Sequence, residues 1–121
     1  MKYLREVIVA LTLLLAAVGH AAEGDGKAAA GSILIDVRTS VEWQSEHLEG
    51  ALNIPYDKIA EKIGQAVPDK KTKVILYCRT GRRSGIALET LKKIGYEDVT
   101  NLINAKEASE KLKIPIIKGD K

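Results

Sequence analysis

Cys78 is the one cysteine of the chain, and it ends the apolar run Val74 to Tyr77 just where Arg79, Thr80, Gly81, Arg82, Arg83 and Ser84 follow. A thiol does chemistry as the thiolate, and an unperturbed one is only about 3% ionised at pH 7. Bringing it to mostly ionised takes a shift of about two units, or roughly 2.7 kcal/mol. An exposed arginine supplies about 1 kcal/mol at most, so the arginines fall short alone. Backbone N–H groups of a turning loop and the positive end of the following helix must carry the larger share. A loop of this kind is built for an anion. The competing reading, a small apolar thiol that fills a strand end, suits most lone cysteines. It fits poorly here, because core thiols are not set in electropositive loops broken by glycine.

The same composition removes other thiol chemistries. A single cysteine has no partner for a disulfide within its own chain, and no Cys-x-x-Cys is present for dithiol exchange. One cysteine and His47 do not make a four-ligand zinc site. We therefore expect neither metal nor cofactor.

The elements that must position this loop can be read outward from it. With 121 residues the chain is sized for one domain, and a net charge of +3 with mixed signs is too mild for a nucleic-acid partner. At the N-terminus, MKYLRE gives a basic lead, VIVALTLLLAAVG an apolar core, and Gly19 and Ala21 a small-x-small cleavage site, so residues 1–21 read as an export signal. The uncharged run Val7 to Val18 is short of the ~20 residues a spanning helix needs, which argues against a stable membrane anchor. Cleavage would leave a charge of +2 and place the protein in the periplasm. Residues 22–31 are small and polar and read as a flexible lead, leaving 32–121 as the folded domain.

Within that domain strand-like and helical patterns alternate. SILIDV, ALNIP, KTKVILY and DVTNLI read as extended. TSVEWQSEH reads as a capped helix, YDKIAEKIG as a short helix ended by Gly64, a third helix starts near Ser84 and ends at Gly95, and AKEASEKL is the last. This order predicts an α/β fold with a small parallel β-sheet flanked by helices. Ligands of such sheets sit beyond the carboxyl ends of strands, which is where Cys78 falls.

CRTGRRS, beginning at Cys78, resembles the active-site loop of the rhodanese sulfurtransferases, which often reads Cys-Arg-x-Gly-x-Arg or Cys-Arg-x-Gly-x-Thr. Upstream, IDVRTSVEWQSEHLEGALNIP resembles the family's Asp-Val-Arg, Glu-aromatic and His-x-x-Gly-Ala-x-Asn-Ile-Pro signature. The two lie in the expected order and span most of the mature chain. With the export signal, AVPDKKTKVILYC and GYEDV, the likeness is to the exported phage-shock protein E type of single-domain rhodanese.

The resemblance implies a rhodanese-like fold and a thiosulfate sulfurtransferase. Cys78 would be the nucleophile and would carry a persulfide. Thr80, Gly81 and Ser84, with the rest of the loop, would offer N–H groups to the sulfur, and Arg79, Arg82 and Arg83 would hold a small anionic sulfur donor. Cyanide or a thiol would accept the sulfur, and the protein would act as a monomer. Ser84 also suits a helix cap.

Asp36 is expected near the strand end beside the loop, where it would orient loop amides or pair with an arginine. Arg38 and Glu42 have the spacing of a one-turn ion pair. Trp43, Leu48 and Ile54 read as core and His47 as a structural histidine. Two departures from the family pattern stand out: Glu46-His47 replaces Gly-His, and Asn104-Ala105 replaces Gly-Gly with no late tryptophan. The second puts the last strand turn and final helix in question. Related phosphatase loops read His-Cys-x5-Arg, whereas this chain has Tyr77 and Ser84 at the two defining positions, so phosphatase chemistry is set aside. A persulfide carrier that serves one protein partner stays open as the alternative.

Overall fold

The structure, a computed structural model, describes residues 31–119. The export signal and nearly all of the polar lead lie outside the described residues. In chain order the elements are β1 (Ser32–Asp36), α1 (Ser40–Ser45), β2 (Glu46–Leu48), β3 (Leu52–Asn53), α2 (Ile59–Ala66), β4 (Lys73–Cys78), α3 (Arg82–Lys93), β5 (Val99–Asn104), α4 (Ala105–Leu112) and β6 (Ile116–Lys118).

Four strands form a parallel sheet in the order β3-β1-β4-β5. Parallel strands covered on both faces must be apolar on both, and β4 shows it: Val74 to Cys78 are all buried. Successive side chains point to opposite faces, so Val74, Leu76 and Cys78 join Ile35, Ile63, Ala87 and Leu91 on the side of α2 and α3. Ile75 and Tyr77 face the other way, against Leu34, Leu48, Ala108 and Ile114 on the side of α4. That alternation aims Cys78 at the start of α3. Chain order reverses direction in the sheet between β1 and β4, so the carboxyl ends of these two strands form the crevice an α/β fold uses for a site.

The α/β architecture and parallel sheet agree with the expectation, while several boundaries do not. The helix read through His47 stops at Ser45, and Glu46–Leu48 pairs antiparallel with Ile116–Lys118, a strand the sequence reading missed. Long-range bonds decide this: Arg38 Nη2 donates to Glu46 O at 2.7 Å, and Leu48 N donates to Tyr77 Oη at 3.0 Å. Helix α2 passes through Gly64 to Ala66, because burying Ile59 and Ile63 outweighs the local cost of glycine. Helix α3 starts two residues earlier than Ser84, with Gly81 as its N-cap at φ 95°.

The last strand turn and final helix are both formed. Between Leu76↔Asn101 and Cys78↔Asn104 the strand β5 gains one residue over β4, a bulge in which Ile103 takes φ 72°. A β-branched residue is strained there. Ile103 N donates to Asn101 Oδ1 at 2.8 Å, an Asx-type turn that holds the conformation. Asn104 then caps α4 by accepting from Glu107 N.

Candidate active site

The turn from β4 into α3 wraps around one atom. Cys78 Sγ accepts from Gly81 N at 3.1 Å and from Ser84 N at 3.4 Å, and Ser84 Oγ lies 3.4 Å away. Gly81 makes this possible twice over. Its φ of 95° suits glycine, and a Cβ there would come within 3.3 Å of Ile103 Cγ2. Burial pushes the Cys78 thiol up, but the Ser84 hydroxyl and the amides of Ser84, Gly81 and Thr80 outweigh it and bring the thiol below its ordinary value. Neutral dipoles rather than arginines dominate that balance, as the arithmetic on the sequence required.

The sulfur is covered: Cys78 is only 1% exposed. The alternation of β4 sends its side chain under α3, and the loop closes over it. Arg79 and Thr80, on the outer turn of the loop, are exposed.

The structure brings the arginines together through a residue the sequence reading had paired elsewhere. Glu42 meets Arg83 in a two-pronged bond, Nη1 to Oε1 at 2.9 Å and Nη2 to Oε2 at 3.1 Å, and Arg79 Nε lies 3.3 Å from Oε2. Glu42 is therefore not the partner of Arg38. The Arg83 bond leads, and with Thr39 it overcomes desolvation to hold the Glu42 carboxyl at about 2. The capping box of Thr39 and Glu42 fixes α1, and thereby the carboxylate, over the loop. The Thr39-x-x-Glu42 pattern signals that cap, but nothing local reveals an ion pair to a residue forty-one positions away. Arg82 is exposed.

Asp36 and Arg38 form a second, separate cluster. Arg38 Nε reaches both Asp36 oxygens at 3.0 Å, Nη2 reaches Oδ2 at 2.7 Å, and the Arg38 backbone N donates to Oδ1 at 2.9 Å. Burial opposes the Arg38 charge, but the Asp36 bond and charge more than restore it, so its pKa is raised. Burial, followed by the Asp36 charge, drives the Tyr77 phenol well above its ordinary range. Of the two roles expected for Asp36, arginine pairing is the one the structure contains. Its carboxylate bonds go to Arg38, not to the cysteine loop.

Leu48 and Ile54 are core, and His47 is buried, with Nδ1 2.7 Å from Trp43 O and its ring stacked on Trp43 at 3.8 Å. Trp43 itself is half-buried rather than core, with Nε1 donating to Ala51 O. Among the described residues no group of three His, Cys, Asp or Glu side chains could hold a metal ion.

The sequence reading also passed over Asn101. Its Oδ1 accepts from Ser84 Oγ at 2.7 Å as well as from Ile103 N, and its Nδ2 donates to Gly81 O at 3.3 Å. One side chain thus ties β5 to both ends of the turn around Cys78.

Comparison with known proteins places this geometry. Residues 20–110 match the Rhodanese-like domain family. The thiosulfate sulfurtransferase PspE of Escherichia coli is 44% identical over 85 residues, covering 70% of this chain and 78% of that protein. A structure described as a rhodanese with anions from E. coli superposes with a TM-score of 0.66 at 42% identity, covering 73% of this chain and 99% of the other. A Helicobacter pylori protein, hp1203, superposes at 0.63 with 30% identity, covering 74% of this chain and 81% of its own.

Proposed function

Since the chain belongs to the rhodanese-like family, we propose that it is a thiosulfate sulfurtransferase whose nucleophile is Cys78. The observation that carries the assignment is the set of polar groups around Sγ, the amide donors Gly81 N at 3.1 Å and Ser84 N at 3.4 Å with the Ser84 hydroxyl beside them at 3.4 Å, around the sole cysteine of the chain.

In the first half-reaction the Cys78 thiolate attacks the outer sulfur of thiosulfate. A bond forms between Sγ and that sulfur, the bond to the sulfonate sulfur breaks, and its electron pair leaves with sulfite. Cys78 then carries a persulfide with the negative charge on its outer sulfur. In the second, cyanide or a thiolate attacks that outer sulfur, takes it, and returns the electron pair to Sγ as thiolate. The amides of Thr80, Gly81 and Ser84 stabilise charge at each stage without a counter-ion that would have to be displaced. Arg79, Arg82 and Arg83 draw in the dianionic donor, and the Glu42 carboxylate already occupying two of them limits how strongly they hold it. Because Cys78 is 1% exposed, the donor reaches it only if the loop opens. Asp36 and Arg38 support the strand end from their own cluster and do not touch the reacting sulfur.

The reading extends to the whole chain. Residues 1–21 direct export to the periplasm and are removed, 22–31 form the lead, and 32–121 act as a monomeric domain. The signal pattern of the first residues supports this, and no described helix is long and apolar enough to cross a membrane. Steady-state turnover of thiosulfate and cyanide tests the assignment: we expect parallel-line, ping-pong kinetics in the wild type and none in Cys78→Ser. Transfer surviving in that variant would remove Cys78 from the reaction, and a persulfide that discharges only to one protein would favour the carrier alternative.

A further inference from the structure

The hydrogen bonds of Asn101 settle where the Ser84 hydroxyl proton lies. Ile103 N donates to one end of the Asn101 amide at 2.8 Å, so that end is oxygen, and the other end donates to Gly81 O at 3.3 Å. The same oxygen is 2.7 Å from Ser84 Oγ. A carboxamide oxygen only accepts, so the hydroxyl must be the donor. The hydroxyl has a single proton. Committed to Asn101, it cannot also serve Sγ at 3.4 Å, which instead meets an oxygen lone pair.

That arrangement suits one state of the sulfur and opposes another. A protonated Cys78 donates its S–H to the Ser84 lone pair. A thiolate is repelled by it until the hydroxyl turns from Asn101 toward Sγ, and only in that turned state does the hydroxyl help to lower the thiol's pKa. In the persulfide the charge sits on the outer sulfur, Sγ is neutral, and the hydroxyl can return. Resting on the reading of Cys78 as nucleophile, we propose that Asn101 is a positioning residue that holds the Ser84 hydroxyl as its hydrogen-bond donor and lets it turn to donate to Sγ, without proton transfer, whenever the thiolate is formed. Both Ser84 and Cys78 are buried, and Asn101 is half-buried.

The other charges near the sulfur do not depend on this proton. Arg82 and Arg83 come from α3, Arg79 from the loop, Glu42 from α1, and the paired Asp36 and Arg38 from the end of β1. Strand β5 brings no titratable side chain.

The ultraviolet absorbance of the thiolate, followed against pH with Cys78→Ser as blank, reads the proposal without requiring access to the sulfur. Asn101→Ala should lower the titration midpoint and raise the thiolate fraction below it about threefold, the scale of one neutral hydrogen bond. Ser84→Ala should raise the midpoint, and Asn101→Ala added to it should then change nothing. A purely structural role for Asn101 predicts the opposite sign, since a loosened loop loses its amides. An unchanged or raised midpoint in Asn101→Ala, or a drop that persists in the Ser84→Ala background, overturns the proposal. Should Asn101→Ala not fold, Asn101→Asp decides: it keeps the acceptor and strengthens it, so its rise in midpoint must be larger with Ser84 present than without, and equal rises overturn the idea. Activity retained in Cys78→Ser would defeat the nucleophile assignment instead, and leaves this titration readable.

Discussion

Asp36 and Cys78 end neighbouring strands, both buried, yet the structure handles their charge in different ways. The Asp36 carboxylate takes four bonds from one residue, Arg38, whose Nη2 also donates to Glu46 O. Cys78 Sγ meets two amides and a hydroxyl, with no guanidinium bonded to it. A buried ion pair fixes a conformation but leaves neither partner free to change charge. Neutral dipoles lower a thiol's pKa while leaving the sulfur able to form and break bonds. The first cluster is a structural clamp and the second is suited to turnover, although both sit at the carboxyl ends of adjacent central strands.

Removing Asp36 should separate the two most sharply. Asp36→Ala strands the buried Arg38 charge and should cost about 3–5 kcal/mol of stability, measured by urea unfolding, while the thiol titration of the folded fraction stays in place. A shifted titration with little loss of stability would reverse the roles assigned to the clusters.

Gly81→Ala should do the converse on a smaller scale. The positive φ and the 3.3 Å approach to Ile103 Cγ2 strain any Cβ, at about 1–3 kcal/mol. Moving the Gly81 amide off Sγ should raise the thiol midpoint and reduce turnover. Intact turnover in this variant would mean the amide ring is dispensable.

Glu42→Gln sits between the clusters and should have the mildest effect. Holding the Glu42 carboxyl at about 2 stabilises the fold above the unfolded value near 4.5, and that contribution is lost as pH falls toward 2. Wild type and variant should therefore differ by about 1–2 kcal/mol at neutral pH, discounted for its partial exposure, and converge in acid. With Arg79 and Arg83 unshielded, KM for thiosulfate should fall about threefold at low salt. Parallel stability curves from neutral pH to pH 2 would show that the Arg83 pair contributes nothing.

What the sequence revealed divides along similar lines. The strand β4, the glycine turn and the following helix are local patterns, so Cys78 and its amide ring could be read directly. Asp36 could be placed at a strand end because SILIDV is itself a buried run. The partner of each charge could not, because the choice between Arg38 with Glu42 and Arg83 with Glu42 depends on how α1 lies across α3. Strands β2 and β6 are three residues each and become extended only by pairing with one another. Asn101 was hidden for the same reason: its bonds cross from β5 to α3, and no periodicity marks them.

Mass spectrometry of the purified protein after exposure to thiosulfate addresses the central assignment most directly. We predict one added sulfur, localised to the peptide that contains Cys78 and discharged by cyanide. An unmodified Cys78 in protein that still turns thiosulfate over would contradict the account.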